Sequence, residues 1–141
     1  MPIQCDIISQ DRVVFRGAVD KISLPGEDGV AGILPNHTPL LMVLKYGVIT
    51  VTQDNREQYF TVAGGFAEVQ PDHAIILADA AEDVAEINTQ RAEEARKRAE
   101  KMLEEGRGQD NDTYLALQAA LKRSNLRLDA VQKYSQRYKQ R

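Results

Sequence analysis

The sequence predicts an α+β chain: an N-terminal antiparallel β-sandwich, or flattened barrel, over residues 1–83, then a C-terminal two-helix hairpin over 84–141. Three observations predict it. Short runs of alternating apolar and polar residues recur up to Ala78, separated by Gly, Pro, Asn and Asp clusters. At Asp83 the apolar spacing changes from two to a helical period. The charge changes there too: residues 1–83 hold five Lys+Arg and twelve Asp+Glu, a net −7, and residues 84–141 hold thirteen and nine, a net +4.

Taken in order, Ile3 to Ser9, Arg12 to Gly17, Val19 to Leu24, Gly32 to Leu34 and Leu40 to Leu44 read as strands. Gly47 to Gln53 and Glu57 to Ala63, joined by Asp54-Asn55, read as a hairpin, because such dipeptides accept the positive φ that a tight turn requires. Gly65 to Gln70 and His73 to Ala78 complete the set, and many short strands without an intervening helix fit a sandwich. Asp83 followed three residues later by Glu86 resembles a capping box, opening a first helix of about 33 Å whose stripe includes Val84, Ile87, Ala95, Ala99, Met102 and Leu103. Gly106-Arg107-Gly108 ends it. Asp110-Asn111-Asp112 offers caps for a second helix of about 42 Å, with a stripe of Leu117, Leu121, Ser124, Leu128, Val131 and Tyr138. The first stripe is largely Ala (Ala92, Ala95, Ala99) and the second helix carries Ala116, Ala119 and Ala120; such residues permit close approach but bury little apolar area, so a marginally stable, movable hairpin is expected.

Composition narrows the function. With 43% hydrophobic residues the 141-residue chain is neither collagen-like nor disordered, and a lone Cys5 makes no internal disulfide. No secretory pattern opens the chain, so a reducing compartment is expected, and no apolar run is longer than that of Leu40 to Leu44, far short of the roughly 18 residues a membrane span needs. There is no phosphate loop, no His-Glu-x-x-His and no paired Cys; His37 and His73 read as loop and strand-start residues. A non-catalytic chain is expected.

The helical charges say more. On the first helix Glu93 and Lys97, Glu94 and Arg98, and Lys101 and Glu105 stand four apart and can pair. On the second, Arg123 and Arg127 have no carboxylate along their row, and residues 107–141 carry eight cations against three anions. These arginines require an anion from elsewhere. Nucleic acid is disfavoured by the acidic remainder, and a membrane surface by the lack of Trp and the narrow stripe. A nucleotide phosphate and an acidic protein patch both remain open.

Four segments and the tail resemble a known family, the epsilon subunit of the F-type ATP synthase. The segments are Ile22-Ser-Leu-Pro-Gly-Glu-Asp-Gly29, Gly32-Ile-Leu-Pro-Asn-His-Thr-Pro-Leu-Leu41, Gly64-Gly-Phe-Ala-Glu-Val-Gln-Pro71 and Leu77-Ala-Asp-Ala80. The resemblance implies a regulatory subunit of the rotating central stalk, with no catalytic role and no required cofactor. Its sandwich would sit on the gamma subunit and the c-subunit ring. Its movable helices would lie folded on the sandwich or rise toward the alpha and beta subunits and oppose ATP hydrolysis. Membrane association would come only through the complex, on the cytoplasmic face of a bacterial plasma membrane or the stromal face of a thylakoid. The loop of Asn36, His37, Thr38 and Pro39 would contact the c ring or gamma; Val30 stands where some members carry an acidic residue in the neighbouring turn.

Some bacterial members bind ATP as a regulatory ligand through Ile/Leu-Asp-x-x-Arg-Ala and later arginines. Here the matching positions are Glu82, Asn88, Arg91, Ala92, Arg98, Arg123 and Arg127, with Asn88 in place of the motif's Asp. A free-standing ATP-sensing helical hairpin is the alternative reading.

Overall fold

A computed structural model describes residues 1–107 and 109–139, and the side chains as far as Arg137. Gly108 and Arg141, and the stripe position of the Tyr138 side chain, lie outside the described residues. The strands are β1 (Ile3–Ser9), β2 (Arg12–Val19), β3 (Lys21–Gly26), β4 (Gly29–Ile33), β5 (Leu40–Gln53), β6 (Arg56–Val69), β7 (His73–Ala78) and β8 (Ala81–Asp83). A 3-10 turn at Val84–Glu86 precedes α1 (Thr89–Glu104) and α2 (Asn111–Lys139).

The strands run in the order β2-β1-β7-β6-β5-β3-β4, with β8 added on β6. All pairings are antiparallel except β1 with β7. The long strands β5 and β6 belong to both layers. Their halves near Leu40 and Val69 continue through β7 to β1 and β2. Their halves near Asp54 and Asn55 join β3, β4 and β8.

At the crossing the side-chain phase reverses. Phe60 and Val62 point into the core before Gly64–Gly65, whereas Ala67 and Val69 do so after it. Leu44 and Ile49 mark the same reversal across Lys45 on β5. Gly64 and Gly65 take φ of 87° and 131°, which a glycine tolerates. The layers thus close over one core of mostly Ile, Val, Leu and Ala, including Ile3, Ile7, Ile22, Leu24, Ile33 and Ile76.

Several boundaries differ from the sequence reading. The two segments expected on either side of Lys45 are one continuous strand, as are the two around Gly64, because both partners change phase together and hydrogen bonding resumes. Strand β4 spans Gly29–Ile33 rather than Gly32 to Leu34, since Gly26 and Gly29 close a tight turn that starts pairing earlier. The step from β2 to β3 falls at Asp20, whose carboxylate accepts from the Asp54 N–H at 2.9 Å. The three-residue β8 was not anticipated.

Asp83 does cap, with its carboxylate accepting from the Ala85 N–H at 2.9 Å, but the element it opens is the 3-10 turn. Helix α1 begins at Thr89, capped by Asn88, whose Oδ1 accepts from the Arg91 N–H at 3.0 Å. Val84 and Ile87 therefore join a cluster beneath α2, not an α1 stripe. Gly106, at φ 73°, ends α1, and Asp110 caps α2 by accepting from the Thr113 N–H at 2.8 Å.

Candidate functional site

The second helix lies against β5 and β6, and α1 packs on α2 through the small residues Ala92 and Ala99. A compact apolar cluster of Tyr59, Val84 and Ala130, edged by Val48, Ile87, Val131 and Tyr134, fixes α2 to the sandwich. Within it Tyr59 and Tyr134 stack with centroids 4.4 Å apart at 26°. Burial and the Glu57 hydrogen bond raise the Tyr59 phenol pKa from its usual value.

The cations of α2 meet partners on the sandwich. Arg127 donates from Nε to Glu82 Oε1 at 2.5 Å, Arg137 lies 3.7 Å from Glu57, and Lys122 sits 4.0 Å over the Tyr46 ring. The acidic first part and the basic second part are thus charge-matched across one contact surface. Arg127, with no carboxylate on its own helix row, finds one on β8.

A cavity of about 370 Å³ opens where α1, α2, the 3-10 turn and β8 meet. Six of the seven sequence-predicted residues line it: Glu82, Asn88, Arg91, Ala92, Arg98 and Arg127. Arg123 does not. It lies one turn before Arg127 on the same face of α2 and lines a narrow adjoining cleft with Thr61, Ala63 and Ala80, which Arg127 and Glu82 also border. Ile87, the first position of the matched motif, lines the cavity as well, as do Glu86 and Ala95, which the motif does not include. Ala95 is legible from its spacing between Arg91 and Arg98, whereas Glu86 reaches the cavity from the 3-10 turn that precedes α1.

Arg91 and Arg98 are exposed and, among the described residues, neither makes an ion pair. The expected Glu94–Arg98 and Glu93–Lys97 pairs do not form; Glu94 instead accepts from Gln90, and the ion pairs along α1 are Arg96–Glu100 and Lys101–Glu105, each at 3.9 Å. Two unpaired guanidiniums and a third shared with Glu82 make a cavity suited to a phosphate-bearing ligand, since guanidinium forks match phosphate oxygens.

The loop of Asn36, His37, Thr38 and Pro39 lies elsewhere, at the end of the sandwich formed by the β6–β7 turn. The Asn36 N–H donates to the Pro71 carbonyl at 2.8 Å, and His37 Nδ1 lies 2.7 Å from the Thr38 carbonyl oxygen. A second surface was missed by the sequence reading. Val43, Phe66 and Leu77 are paired in register across β5, β6 and β7, and all three are exposed, 43%, 54% and 53%, with Leu41 beside them at 72%. Together they form an apolar row on the outer face of β5, β6 and β7. Its signal was the outward phase after Gly64–Gly65, which only the strand register reveals.

The pattern of the ATP synthase delta/epsilon chain β-sandwich domain matches residues 2–84, and that of the same chain's long alpha-helix domain matches residues 85–132. The chain belongs to the ATP synthase delta/epsilon family. Within the family it is 39% identical over 131 residues to the ATP synthase epsilon chain of Herpetosiphon aurantiacus, covering 93% of this chain and 95% of that one.

The fold recurs in a chain of the Euglena gracilis mitochondrial ATP synthase OSCP/F1/c-ring structure, with a TM-score of 0.70 at 21% identity, over 86% of this chain and 76% of that one. It recurs again in the central stalk/c-ring structure of the Tetrahymena thermophila mitochondrial ATP synthase, with a TM-score of 0.57 at 15% identity, over 93% and 97%. Among the described residues no helix of this family member is long and apolar enough to cross a membrane, and no cluster of metal-ligating side chains occurs.

Proposed function

We propose that this chain is the epsilon subunit of an F-type ATP synthase, a non-catalytic part of the central stalk that restrains ATP hydrolysis with its helices and senses ATP through them. The observation that carries the reading is the cavity of about 370 Å³, lined by Arg91, Arg98 and Arg127 together with Glu82. It exists only while α1, α2 and β8 are together. A ligand that bridges α1, α2 and β8 there favours the folded hairpin, because parting these elements separates the side chains that hold it. At a concentration a hundred times its Kd it would add about 2.7 kcal/mol to the folded form.

When ATP is scarce the hairpin opens, and the cations Arg123, Arg127 and Arg137 become available to an acidic surface on the alpha and beta subunits. The apolar row of Val43, Phe66 and Leu77 supplies the contact with gamma, and the loop 36–39 faces the c ring. The subunit is peripheral, held at the membrane through these partners.

The test is hydrolysis by the catalytic head, assembled with the full chain or with a chain ending after Glu82, across ATP concentrations. Inhibition by the full chain that fades as ATP rises supports the reading. Equal rates throughout would remove it. A Phe66→Asp chain is expected to keep its fold and lose its complex with gamma, and a pull-down that still recovers a stoichiometric complex would remove the docking face.

A further inference from the structure

A smaller cavity, of about 230 Å³, lies at the C-terminal end of α2 and shares no residue with the arginine-lined one. The outer face of the β3, β5 and β6 layer forms its floor. Ile22 and Val51 point into the core, so Lys21, Ser23, Thr50 and Thr52, which alternate with them, stand on the opposite side. The register sets Lys21 beside Thr52 and Thr52 beside Glu57, with Ser23 beside Thr50 in the next row. Tyr134 and Arg137 border the cavity from α2.

Most of these polar groups are unused. Among the described residues the side chains of Lys21, Ser23, Thr50 and Thr52 make no hydrogen bond and no ion pair. Glu57 accepts from the Tyr59 hydroxyl and lies 3.7 Å from Arg137 Nη1, which also faces that hydroxyl at 3.5 Å. The other N–H groups of Arg137 meet no acceptor among the described residues, and a carboxylate has lone pairs left after these contacts. An ammonium, a guanidinium and a set of hydroxyls thus surround one spare carboxylate edge.

Such a set fits a small oxyanion that carries a proton of its own. The cations and hydroxyls donate to its oxygens. Glu57 can only accept, so it repels a fully ionised anion and receives a hydrogen bond from a P–OH group. At about 230 Å³ the cavity is smaller than the roughly 300–1,000 Å³ clefts that hold drug-sized molecules, which favours an inorganic ion over a nucleotide. We propose that this cavity is a site for hydrogen phosphate, with Glu57 selecting it over sulfate. Bound there, the ion ties Lys21 of β3 to Arg137 of α2 and fastens the C-terminal end of the helix to the sandwich, because it binds that arrangement better than one in which the two cations have parted.

The test is calorimetric titration of the full chain with inorganic phosphate and with sulfate, at constant ionic strength in chloride, with hydrogen exchange of the α2 amides near Arg137 as a second readout. The variants are Lys21→Gln, which removes a side chain that pairs with nothing in the fold, Glu57→Gln, and Arg98→Gln as a control on the other cavity. The unaltered chain and Arg98→Gln are expected to bind phosphate at least about tenfold more tightly than sulfate, with Lys21→Gln weakening phosphate about tenfold. Glu57→Gln should erase the preference, and phosphate should slow exchange near Arg137 in the unaltered chain. No phosphate binding at millimolar concentration, or binding that Lys21→Gln leaves unmoved, overturns the site. Loss of binding in Arg98→Gln places the ion in the other cavity and overturns it as well. Equal binding of phosphate and sulfate by the unaltered chain, or a preference that survives Glu57→Gln, overturns the selection by Glu57. Binding without slower exchange overturns the fastening of α2.

Discussion

Arg127 on α2 and Glu82 on β8 share a hydrogen-bonded ion pair, and the same two side chains form one wall of the cavity. The pair therefore serves both the docking of the helix and the shape of the site. Each side chain remains 34% exposed, so water and salt screen the attraction, and a pair of this kind contributes about 0.2–1 kcal/mol. A double-mutant cycle with Glu82→Gln and Arg127→Ala is expected to give a coupling in that range, read from hydrogen exchange of α2 amides and shrinking at high salt. Zero coupling at low salt would show that this pair adds nothing to the docking of the helix, which the apolar cluster and the Arg137 and Lys122 contacts then hold.

The Tyr59–Tyr134 stack is expected to contribute more. Tyr134→Ala removes an aromatic pair worth about 0.5–1.5 kcal/mol beyond its buried area, and also leaves Arg137 without one of the rings it overlies, at 5.4 Å. Amides of α2 should exchange faster while those of β1 and β7, in the main core, stay protected. Tyr134→Phe keeps the stack and should change little. Uniform loss of protection across the chain would mean that sandwich and helices unfold as one unit.

The sandwich was legible because most strands alternate and are bounded by residues with turn chemistry. Local alternation does not reveal continuity, however. Lys45 and Gly64 break the phase on both partners at once, which reads as a gap in each strand when each is viewed alone. The start of α1 was misread for a related reason. Asp83 and Asn88 are both competent caps five residues apart, and what selects Asn88 is the burial of Val84 and Ile87 under α2. On the cavity, Arg91, Ala95 and Arg98 share a helical face by spacing alone. Arg127 and Glu82 reach it only through docking, and Arg123, on the same row of α2, misses it by one helical turn along the axis and lines the adjoining cleft instead.

Gly65 lies where the two layers exchange strands, and it tolerates no side chain. Its φ is 131°, and a Cβ there would meet the Leu77 carbonyl oxygen at 2.2 Å, a backbone atom held in the β6–β7 pairing. Gly65→Ala is expected to destabilise the sandwich by about 2 kcal/mol or more in urea unfolding. Gly32→Ala is the control. Its φ is ordinary and a Cβ would lie 3.7 Å from the end of Lys21, so a change within about 0.5 kcal/mol is expected. Equal midpoints for the two variants would contradict the packing at the crossing.

Cys5 provides a test of the core that is independent of the helices. Burial, with a smaller contribution from the Asp6 charge, pushes its thiol from 9.0 up to about 12. The folded chain thus keeps the thiol neutral where the unfolded chain ionises it. The resulting stability is fully present below pH 9 and is lost as pH rises toward 12, at up to about 1.4 kcal/mol per pH unit. Tyr59 is shifted in the same direction, so the measurement is the difference in urea-unfolding slope against pH between the unaltered chain and Cys5→Ala, not either curve alone. The slope should be steeper in the unaltered chain between pH 9 and pH 11. Iodoacetamide at pH 9 should label Cys5 rapidly in urea and only at the rate of unfolding without it, because the reactive species is the thiolate. Fast labelling of the folded chain would place Cys5 outside the closed core between β1, β2 and β7.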